Sequence, residues 1–317
     1  MSERGPATIL VVGGRGFVGA HIVRLLLAGG NRVHVFGPDM AIDLLHDVRS
    51  RLDETIGSVE DTAALDAVMA AARPAAIVSC AAYGEGDAGL MRSGETDADR
   101  AFAVNVDGFR HLIGTAARHG VRRIVWTSST VVYGPADAYA DARVDERSAK
   151  APRTVYGLTK HLAEDVAIFL ARRHRIEIVG LRLPLVLGPG LWYQGAAAAL
   201  IALLRAARNH EAHTIAFHDA PMDLMHVADA ARAVVATLEA ASIGLPIYNI
   251  NGFTARASDL VQAIAAQRPR LRITHEVQPA PMRFPLISDA AFRRAFAFAP
   301  DYDLIGFVAA MLAETAG

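Results

Sequence analysis

Short apolar segments alternate with longer amphipathic segments through the first half of the chain. Residues 7–14 (ATILVVGG) and 32–37 (RVHVFG) are apolar over a length that is typical of buried strands. Residues 19–30 and 155–174 carry apolar side chains at helical spacing. Strands that alternate with helices in this way build βαβ units around a parallel sheet. The pattern therefore predicts an α/β fold with a doubly wound parallel sheet.

The turn after the first predicted strand is rich in glycine. Gly13, Gly16 and Gly19 have G-x-x-G-x-x-G spacing between an apolar segment and a helical one. Glycines let the backbone approach a pyrophosphate, and a helix N-terminus offers free N–H groups and a partial positive charge. The turn therefore predicts a dinucleotide site on a Rossmann-type sheet, with an ordinary glycine-rich turn as the alternative. The residues expected at this site are the three glycines together with Arg15, Phe17 and Val18.

The end of the second predicted strand leaves the type of dinucleotide open. In a NAD site an acidic residue at this strand end binds the ribose hydroxyls. Here the position holds Gly37, and Asp39 follows two residues later. Asp39 would repel the 2′-phosphate of NADP, whereas Arg15 would attract it, and a solvated loop charge is the alternative for each. The predicted cofactor is therefore NAD or NADP.

The strand and helix pattern loosens after Gly190. We expect residues 1–190 to form the NAD(P)-binding Rossmann domain, and residues 191–317 to form mainly a smaller C-terminal substrate-binding lobe. Segments near 181–190 and 221–251 are expected to return to the main sheet, so the boundary between the two parts is not sharp.

A tyrosine and a lysine lie four residues apart on a predicted helix. Four residues are about one helical turn, so Tyr156 and Lys160 share a face. The ordinary pKa of tyrosine is about 10, and a neighbouring cation favours the phenolate that a proton transfer needs. Ser129 closes a predicted strand, where parallel sheets place active residues. Together with the glycine loop, they predict hydride-transfer chemistry assisted by Tyr156, Lys160 and Ser129. A surface helix face is the alternative for the tyrosine and lysine pair.

Further motifs follow in order along nearly the whole chain. They are GGRGFVG at 13–19, Ala81-Ala82, NVDG at 105–108, TSSTVVYG at 127–134, YGLTK at 156–160, RLPLVLGPG at 182–190, HVAD at 226–229 and YNI at 248–250. In these motifs and their order, the chain resembles the extended short-chain dehydrogenases/reductases, the NAD(P)-dependent epimerase/dehydratase family.

The resemblance implies a role for each matching residue. Tyr156 would exchange the proton, Lys160 would hold the nicotinamide ribose and Ser129 would orient the substrate. Pro184 and its neighbours would line the nicotinamide. Cofactor contacts are also implied for Ala81, Ala82 and Asn105, although a helix-surface asparagine is the alternative for Asn105. The resemblance further implies a homodimer, formed by helices near 99–118 and 154–173.

Several positions depart from the nucleotide-sugar branches of that family. Dehydratases carry acidic residues shortly after the catalytic Ser or Thr, but Thr130 is followed here by two valines, so elimination of water has no base. Epimerases of uridine-diphosphate sugars usually have Asn where this chain has Leu185, and often Arg where it has Met222. Arg283 is a further candidate for an anion contact, with an exposed structural arginine as the alternative. These departures favour a small, non-nucleotide substrate.

Other candidate substrate contacts lie in two predicted loops. Trp192, Tyr193 and Gln194 follow the GPG turn, and residues 83–87, beginning with Tyr83, follow the fourth strand. Packing and loop roles are the alternatives. With Thr130, Leu185 and Arg283, these residues complete the predicted substrate set.

Composition and charge limit the remaining possibilities. The formal net charge of −1 gives no indication of a nucleic-acid partner, the 12 histidines lack metal-ligand spacing, and no segment predicts a membrane span. Cys80 is the single cysteine, which is typical of a reducing compartment, so we expect a cytoplasmic protein.

Three functions stay open at this point. The first is a dehydrogenase or reductase with exchangeable cofactor. The second is a nucleotide-sugar or free-sugar epimerase that retains its NAD. The third is a catalytically inactive dinucleotide-sensing protein, which the Tyr156–Lys160 pair disfavours.

Overall fold

The computed structural model describes residues 7–193 and 195–313. The strands are β1 (Thr8–Val12), β2 (Arg32–Gly37), β3 (Asp53–Ile56), β4 (Ala76–Ser79), β5 (Arg123–Ser129), β6 (Arg143–Val144), β7 (Glu177–Leu183), β8 (Leu185–Leu187), β9 (His213–Phe217), β10 (Met222–His226), β11 (Ile247–Asn249), β12 (Phe253–Ala255), β13 (Ile273–Val277) and β14 (Leu286–Ile287). The helices are α1 (Phe17–Ala28), α2 (Thr62–Ala72), α3 (Leu90–Thr96), α4 (Ala98–Phe102), α5 (Phe109–Arg118), α6 (Val155–His174), α7 (Ala198–Arg208), α8 (Val227–Glu239), α9 (Ala257–Gln267), α10 (Ala290–Phe296) and α11 (Leu304–Ala313).

The main sheet is parallel throughout and has the strand order β11-β7-β5-β4-β1-β2-β3. Strand order reverses between β1 and β4, and ligands of open α/β sheets bind in the crevice at such a point. The predicted doubly wound parallel sheet is therefore confirmed. Strand β3 was not among the predicted segments, because its sequence DETI lacks an apolar run.

The chain leaves the main sheet at Pro184, between β7 and β8. Proline has no N–H to donate to a strand ladder. Strand β8 then pairs with β10, and β10 with β12, in a separate three-stranded sheet, the small sheet. Strand β11 returns to the main sheet and pairs with β7. Of the segments expected to return to the main sheet, residues 181–190 supply the end of β7 and residues 221–251 supply β11, whereas β8 and β10 lie in the separate sheet. The boundary between the two predicted domains stays a prediction.

Apolar side chains pack on both faces of the main sheet. Leu26 of α1 and Val234 of α8 are buried on one face, and Leu112 of α5 and Ala163 of α6 on the other. A third cluster, around Leu203, joins α7, α9 and α11 against the small sheet. Within residues 7–193 and 195–313, no helix combines the length and the apolar character that crossing a bilayer requires.

The helix expected near residues 99–118 is interrupted by a wider turn. Helix α4 passes into a π-helix at Ala103–Gly108, which continues into α5. A π-helical turn holds one residue more than an α-helical turn and occurs often at functional sites. Asn105 lies in this turn.

Candidate active site

The glycine loop forms a cradle between β1 and α1. Gly13 donates its N–H to the Phe36 carbonyl oxygen at 2.8 Å, and Gly16 donates to the Gly13 carbonyl oxygen at 3.1 Å. A Cβ at Gly19 would lie 2.2 Å from that same oxygen of Gly13, so only glycine fits. Gly16 caps α1 without a side-chain hydrogen bond, and the first turn, which begins Phe17-Val18, has no acidic residue. The N–H groups of this turn are therefore suited to a pyrophosphate, and the cradle fits a dinucleotide.

Arg15 extends from the cradle toward two carboxylates. Its guanidinium lies 2.9 Å from Asp39 Oδ1 and 2.9 Å from Glu54 Oε2. Glu54, on β3, also bonds Arg49. A phosphate bound beside Arg15 would therefore lie next to both carboxylates. The sequence did not identify Glu54, because β3 was not predicted.

The loop after β4 runs alongside the glycine loop. The Cys80 N–H donates to the Val12 carbonyl oxygen at 2.8 Å, so Ala81 and Ala82 leave the sheet next to the cradle. Asn105 accepts the Tyr83 N–H at 2.8 Å and donates from Nδ2 to Thr159 Oγ1 at 3.0 Å. Asn105 is only 4% exposed, so the helix-surface alternative is wrong. It connects this loop with α6.

Helix α6 approaches the end of β5 very closely. Thr154 caps the helix by accepting the Gly157 N–H at 3.0 Å. A Cβ at Gly157 would lie 2.8 Å from the Val131 carbonyl oxygen, so glycine here permits the approach. Tyr156, Lys160 and Ser129 are all buried at this junction. The structure therefore brings the three predicted catalytic residues together.

The charge states of this group are set mainly by burial. Burial and the nearby Tyr193 raise the pKa of the Tyr156 phenol above its ordinary value, while a hydrogen bond from Ser129 lowers it. Burial lowers the pKa of Lys160 to about 8, against the opposing effects of Cys80 and Glu164. Lys160 Nζ donates to the Thr127 carbonyl oxygen at 2.9 Å and lies 5.8 Å from the centre of the Tyr156 ring. A protonated Lys160 is thus placed to favour the phenolate.

Tyr193 reaches this group from the segment after β8. Its ring meets Phe17 edge to face at a centroid distance of 6.3 Å, and Trp192 packs against it at 5.6 Å. Burial raises the pKa of Tyr193 to about 12. Tyr193 therefore lies between the first turn of α1 and Tyr156. Gln194 lies outside the described residues.

The remaining predicted substrate residues differ in their surroundings. Thr130 begins a 3-10 turn over Thr130–Tyr133 and is partly exposed. Leu185 and Met222 pack against the third apolar cluster, on the neighbouring strands β8 and β10. Arg283 is exposed, and its carbonyl oxygen accepts the Ala136 N–H at 2.7 Å. The structure therefore groups Leu185 with the small sheet and leaves Arg283 at the surface.

The sequence analysis did not identify a buried ionic network that lies beside the catalytic group. Glu164 and Arg182 pair through two contacts of 2.8 and 2.7 Å, and Arg182 reaches the Tyr133 hydroxyl at 2.5 Å. The available signals were a glutamate one turn after Lys160 and an arginine inside the apolar strand IEIVGLRLP. Among the residues that the structure describes, no group of three or more His, Cys, Asp or Glu side chains could hold a metal ion.

Comparisons with known proteins give relatives of two kinds. The chain is 26% identical over 235 residues to the mitochondrial L-threonine 3-dehydrogenase of Bos taurus, which covers 70% of this chain and 61% of that protein. It is 29% identical over 300 residues to the dTDP-L-rhamnose 4-epimerase of Burkholderia thailandensis, and this match covers 81% of the present chain and 80% of the epimerase. The match thus spans about three fifths of the length of the threonine dehydrogenase.

Solved structures with the same fold include an L-threonine dehydrogenase from Cupriavidus necator, with a TM-score of 0.84 and 23% identity. The superposition covers 96% of the present chain and 99% of the dehydrogenase chain. The UDP-glucose 4-epimerase of Thermus thermophilus in complex with NAD has a TM-score of 0.80, 22% identity and coverage of 97% and 100%. The model of the NAD dependent epimerase/dehydratase family matches residues 9–251. The chain therefore belongs to the NAD-dependent epimerase/dehydratase family.

Proposed function

We propose that this chain is a NAD-dependent dehydrogenase or reductase acting on a secondary alcohol or ketone of a small, non-nucleotide substrate. The observation that carries the proposal is the convergence of Ser129, Tyr156 and Lys160 at one buried strand end beside the glycine cradle. Bound NAD supplies the acceptor or donor of a hydride. The chain's own residues supply the movement of a proton and the orientation of the substrate.

The proton is exchanged at the Tyr156 hydroxyl. Ser129 hydrogen-bonds this phenol and would share the substrate oxygen with it. The pKa of Lys160 near 8 leaves the ammonium largely protonated at neutral pH, which lowers the free energy of the adjacent phenolate. The cradle at Gly13, Gly16 and Gly19 would hold the pyrophosphate, with Phe17 and Val18 offering N–H groups at the helix end.

The pairing of Arg15 favours NAD over NADP. Asp39 and Glu54 both lie 2.9 Å from the guanidinium and occupy the cation that a 2′-phosphate would need. A phosphate would have to compete with two carboxylates and would be repelled by them. The acid that the end of β2 lacks is thus supplied by Asp39 and by the neighbouring strand β3.

The choice of a small substrate rests on the apolar contacts of Leu185 and Met222. A diphosphate needs charged or hydrogen-bonding partners, and its desolvation against apolar side chains is costly. Relatives that support this class include the D-erythronate dehydrogenase of Cupriavidus necator, 27% identical over 273 residues, and the L-threonine dehydrogenases. Threonine and erythronate are hydroxy acids, so we propose a small hydroxy acid as the substrate class, with Tyr193, Trp192, Tyr83 and Thr130 lining its site.

The second candidate function is sugar epimerisation with retained NAD, which the resemblance to the rhamnose epimerase favours. Dehydration is disfavoured because Val132, two residues after Thr130, is fully buried and has no exchangeable proton.

A homodimer through α5 and α6 is also proposed, since Leu158 and Phe169 of α6 remain exposed at 39% and 64%. The cytoplasmic location stays a prediction.

The test is an absorbance assay of reduced nicotinamide with L-threonine, D-erythronate, a uronate and UDP-glucose, each with catalytic and stoichiometric NAD. A lasting absorbance change with one of the hydroxy acids supports the proposal. Product formation from any substrate without a lasting change means epimerisation and replaces the proposal with the second candidate. Calorimetry with uridine diphosphate should show no binding below the millimolar range, and micromolar binding would restore the nucleotide-sugar branch.

A further inference from the structure

We propose that Glu164 is a positioning residue of the active site: its buried carboxylate fixes the strand end that carries Ser129 and the electrostatic environment of Lys160. The proposal uses the roles given above to Ser129, Tyr156 and Lys160, but its test needs no substrate. A negative result in that test is therefore separate from a failure of the proposed function.

Three side chains form a stripe along α6. Tyr156, Lys160 and Glu164 are spaced four residues apart, so they share one helix face. Each contacts a different residue at the end of β5. Tyr156 is hydrogen-bonded by Ser129, Lys160 Nζ donates to the Thr127 carbonyl oxygen at 2.9 Å, and Glu164 Oε1 accepts the Ser128 hydroxyl at 2.7 Å. Thus Glu164 holds the residue between the other two contacts.

The carboxylate itself is held rigidly. Glu164 is fully buried, and Arg182 of β7 pairs with both of its oxygens, at 2.8 and 2.7 Å. Such two-point pairing fixes the orientation of a carboxylate as well as its charge. Lys150 adds a contact to Oε2 at 3.4 Å. A fixed carboxylate holds Ser128, and therefore the neighbouring Ser129, in one position.

The network continues into the turn that follows Ser129. Arg182 donates to the Tyr133 hydroxyl at 2.5 Å, and its guanidinium lies 4.8 Å from the centre of the Tyr133 ring. That hydroxyl lies 2.8 Å from Asn249 Oδ1 of β11 and 2.7 Å from the Asp145 carbonyl oxygen. The end of β5 is thus tied to β7 through Glu164 and Arg182. The turn after it is tied to β7 through Arg182 and to β11 through Asn249.

Charged and titratable groups face Lys160 from two elements. Glu164 and Tyr156 lie on its own helix, and Cys80 follows β4. Strand β5 presents the uncharged Trp126 ring, 5.5 Å from Nζ. Glu164 opposes the effect of burial on the pKa of Lys160, so a neutral side chain in its place lowers that pKa further.

Three basic side chains surround Glu164. Arg182 reaches it from β7, Lys150 from the loop before α6, and His161 from its own helix. Neutralising Glu164 leaves these groups without their buried counter-charge. These three groups are not among those that shift the pKa of Lys160, so the loss of the Glu164 carboxylate is the change that lowers this pKa.

The composition of the chain makes a direct measurement possible. Lys150 and Lys160 are its two lysines. In protein labelled with isotope-enriched lysine at Cε, NMR therefore shows two side-chain signals, and Lys150→Arg assigns them. Glu164→Gln should lower the pKa of Lys160 below its value in the native protein. NADH fluorescence and a thermal melt establish that the variant is folded and binds cofactor.

A matched control lies one residue further along α6. Asp165 also contacts Lys150, at 3.1 Å, but its side chain is 57% exposed. Asp165→Asn should leave the pKa of Lys160 unchanged, and Glu164→Asp should bring it back toward the native value. An unchanged pKa in Glu164→Gln, or an equal shift in Asp165→Asn, overturns the proposal.

A second variant covers the case in which Glu164→Gln does not fold. Glu164→Gln/Arg182→Gln removes both charges of the buried pair, and such paired replacements are often tolerated. Arg182 is not among the groups that shift the pKa of Lys160, so this pKa should still fall. A native pKa in the folded double variant would show that the network is structural only.

Discussion

Replacement of Gly19 by alanine is the most direct test of the cofactor cradle. The new Cβ would lie 2.2 Å from the Gly13 carbonyl oxygen and 2.8 Å from the Gly14 Cα. Ordinary contact begins at 3.4 Å, so the loop and the helix must separate by about 1.2 Å, from 2.2 to 3.4 Å. Both neighbours are backbone atoms, which cannot move aside as a flexible side chain can.

A displacement of this size moves the N–H groups of the first turn of α1 away from the pyrophosphate. Misplacement by about 1 Å can cost on the order of 100-fold in function. We therefore expect the Kd for NADH to rise about 100-fold, equivalent to about 2.8 kcal/mol. Titration of NADH fluorescence measures this directly, and a thermal melt with and without NAD shows whether stabilisation by the cofactor is lost.

Gly114 provides a matched control within α5. A Cβ there meets only the Arg118 guanidinium, at 4.0 Å. Because alanine is the better helix former by about 0.8–1 kcal/mol, Gly114→Ala should stabilise the fold. Its Tm should rise by about 2–4 °C, with unchanged affinity for NADH. Native affinity in folded Gly19→Ala would refute the assignment of the cradle to the pyrophosphate.

Three further predictions follow from the same structure. Tyr156→Phe should reduce turnover by about 10²–10⁴-fold with little change in NADH binding, and an active variant would remove the proposed proton transfer. Asp39→Asn/Glu54→Gln should release Arg15 from its ion pairs and raise the ratio of NADP affinity to NAD affinity at least about tenfold. Parallel fluorescence titrations measure this ratio, and an unchanged ratio would show that Arg15 does not set cofactor selectivity. Phe169→Glu should convert a dimer into a monomer in light scattering, and a native chain that is already monomeric at micromolar concentration would contradict the predicted interface.

The predictions from the sequence agree best with the structure where a local constraint fixes the backbone. Helix α6 has the predicted bounds, residues 155–174, because Thr154 caps it and its pattern is unbroken. The glycine loop was recognisable because a steric requirement leaves little choice of residue. In both cases a local physical constraint was sufficient.

Other features depend on pairing across elements. Glu54 contacts Arg15 only because polar β3 joins the edge of the main sheet beside β2. Arg182 is charged within an apolar strand, and its partner Glu164 lies 18 residues away on a helix. No single-sequence pattern encodes the distance between such residues. This is why the sheet was predictable and the ionic contacts were not.

The π-helical turn at Ala103–Gly108 has a consequence for insertions and deletions. A regular α-helix rotates about 100° per residue. Deleting one residue from this turn would convert it into an ordinary α-helix and improve its local hydrogen bonding. The same deletion would rotate the preceding helix relative to α5 and withdraw Asn105 from the Tyr83 N–H and the Thr159 hydroxyl. In a length-variation scan of this helix, a shortened chain should therefore fold well and yet lose the link between the β4 loop and α6.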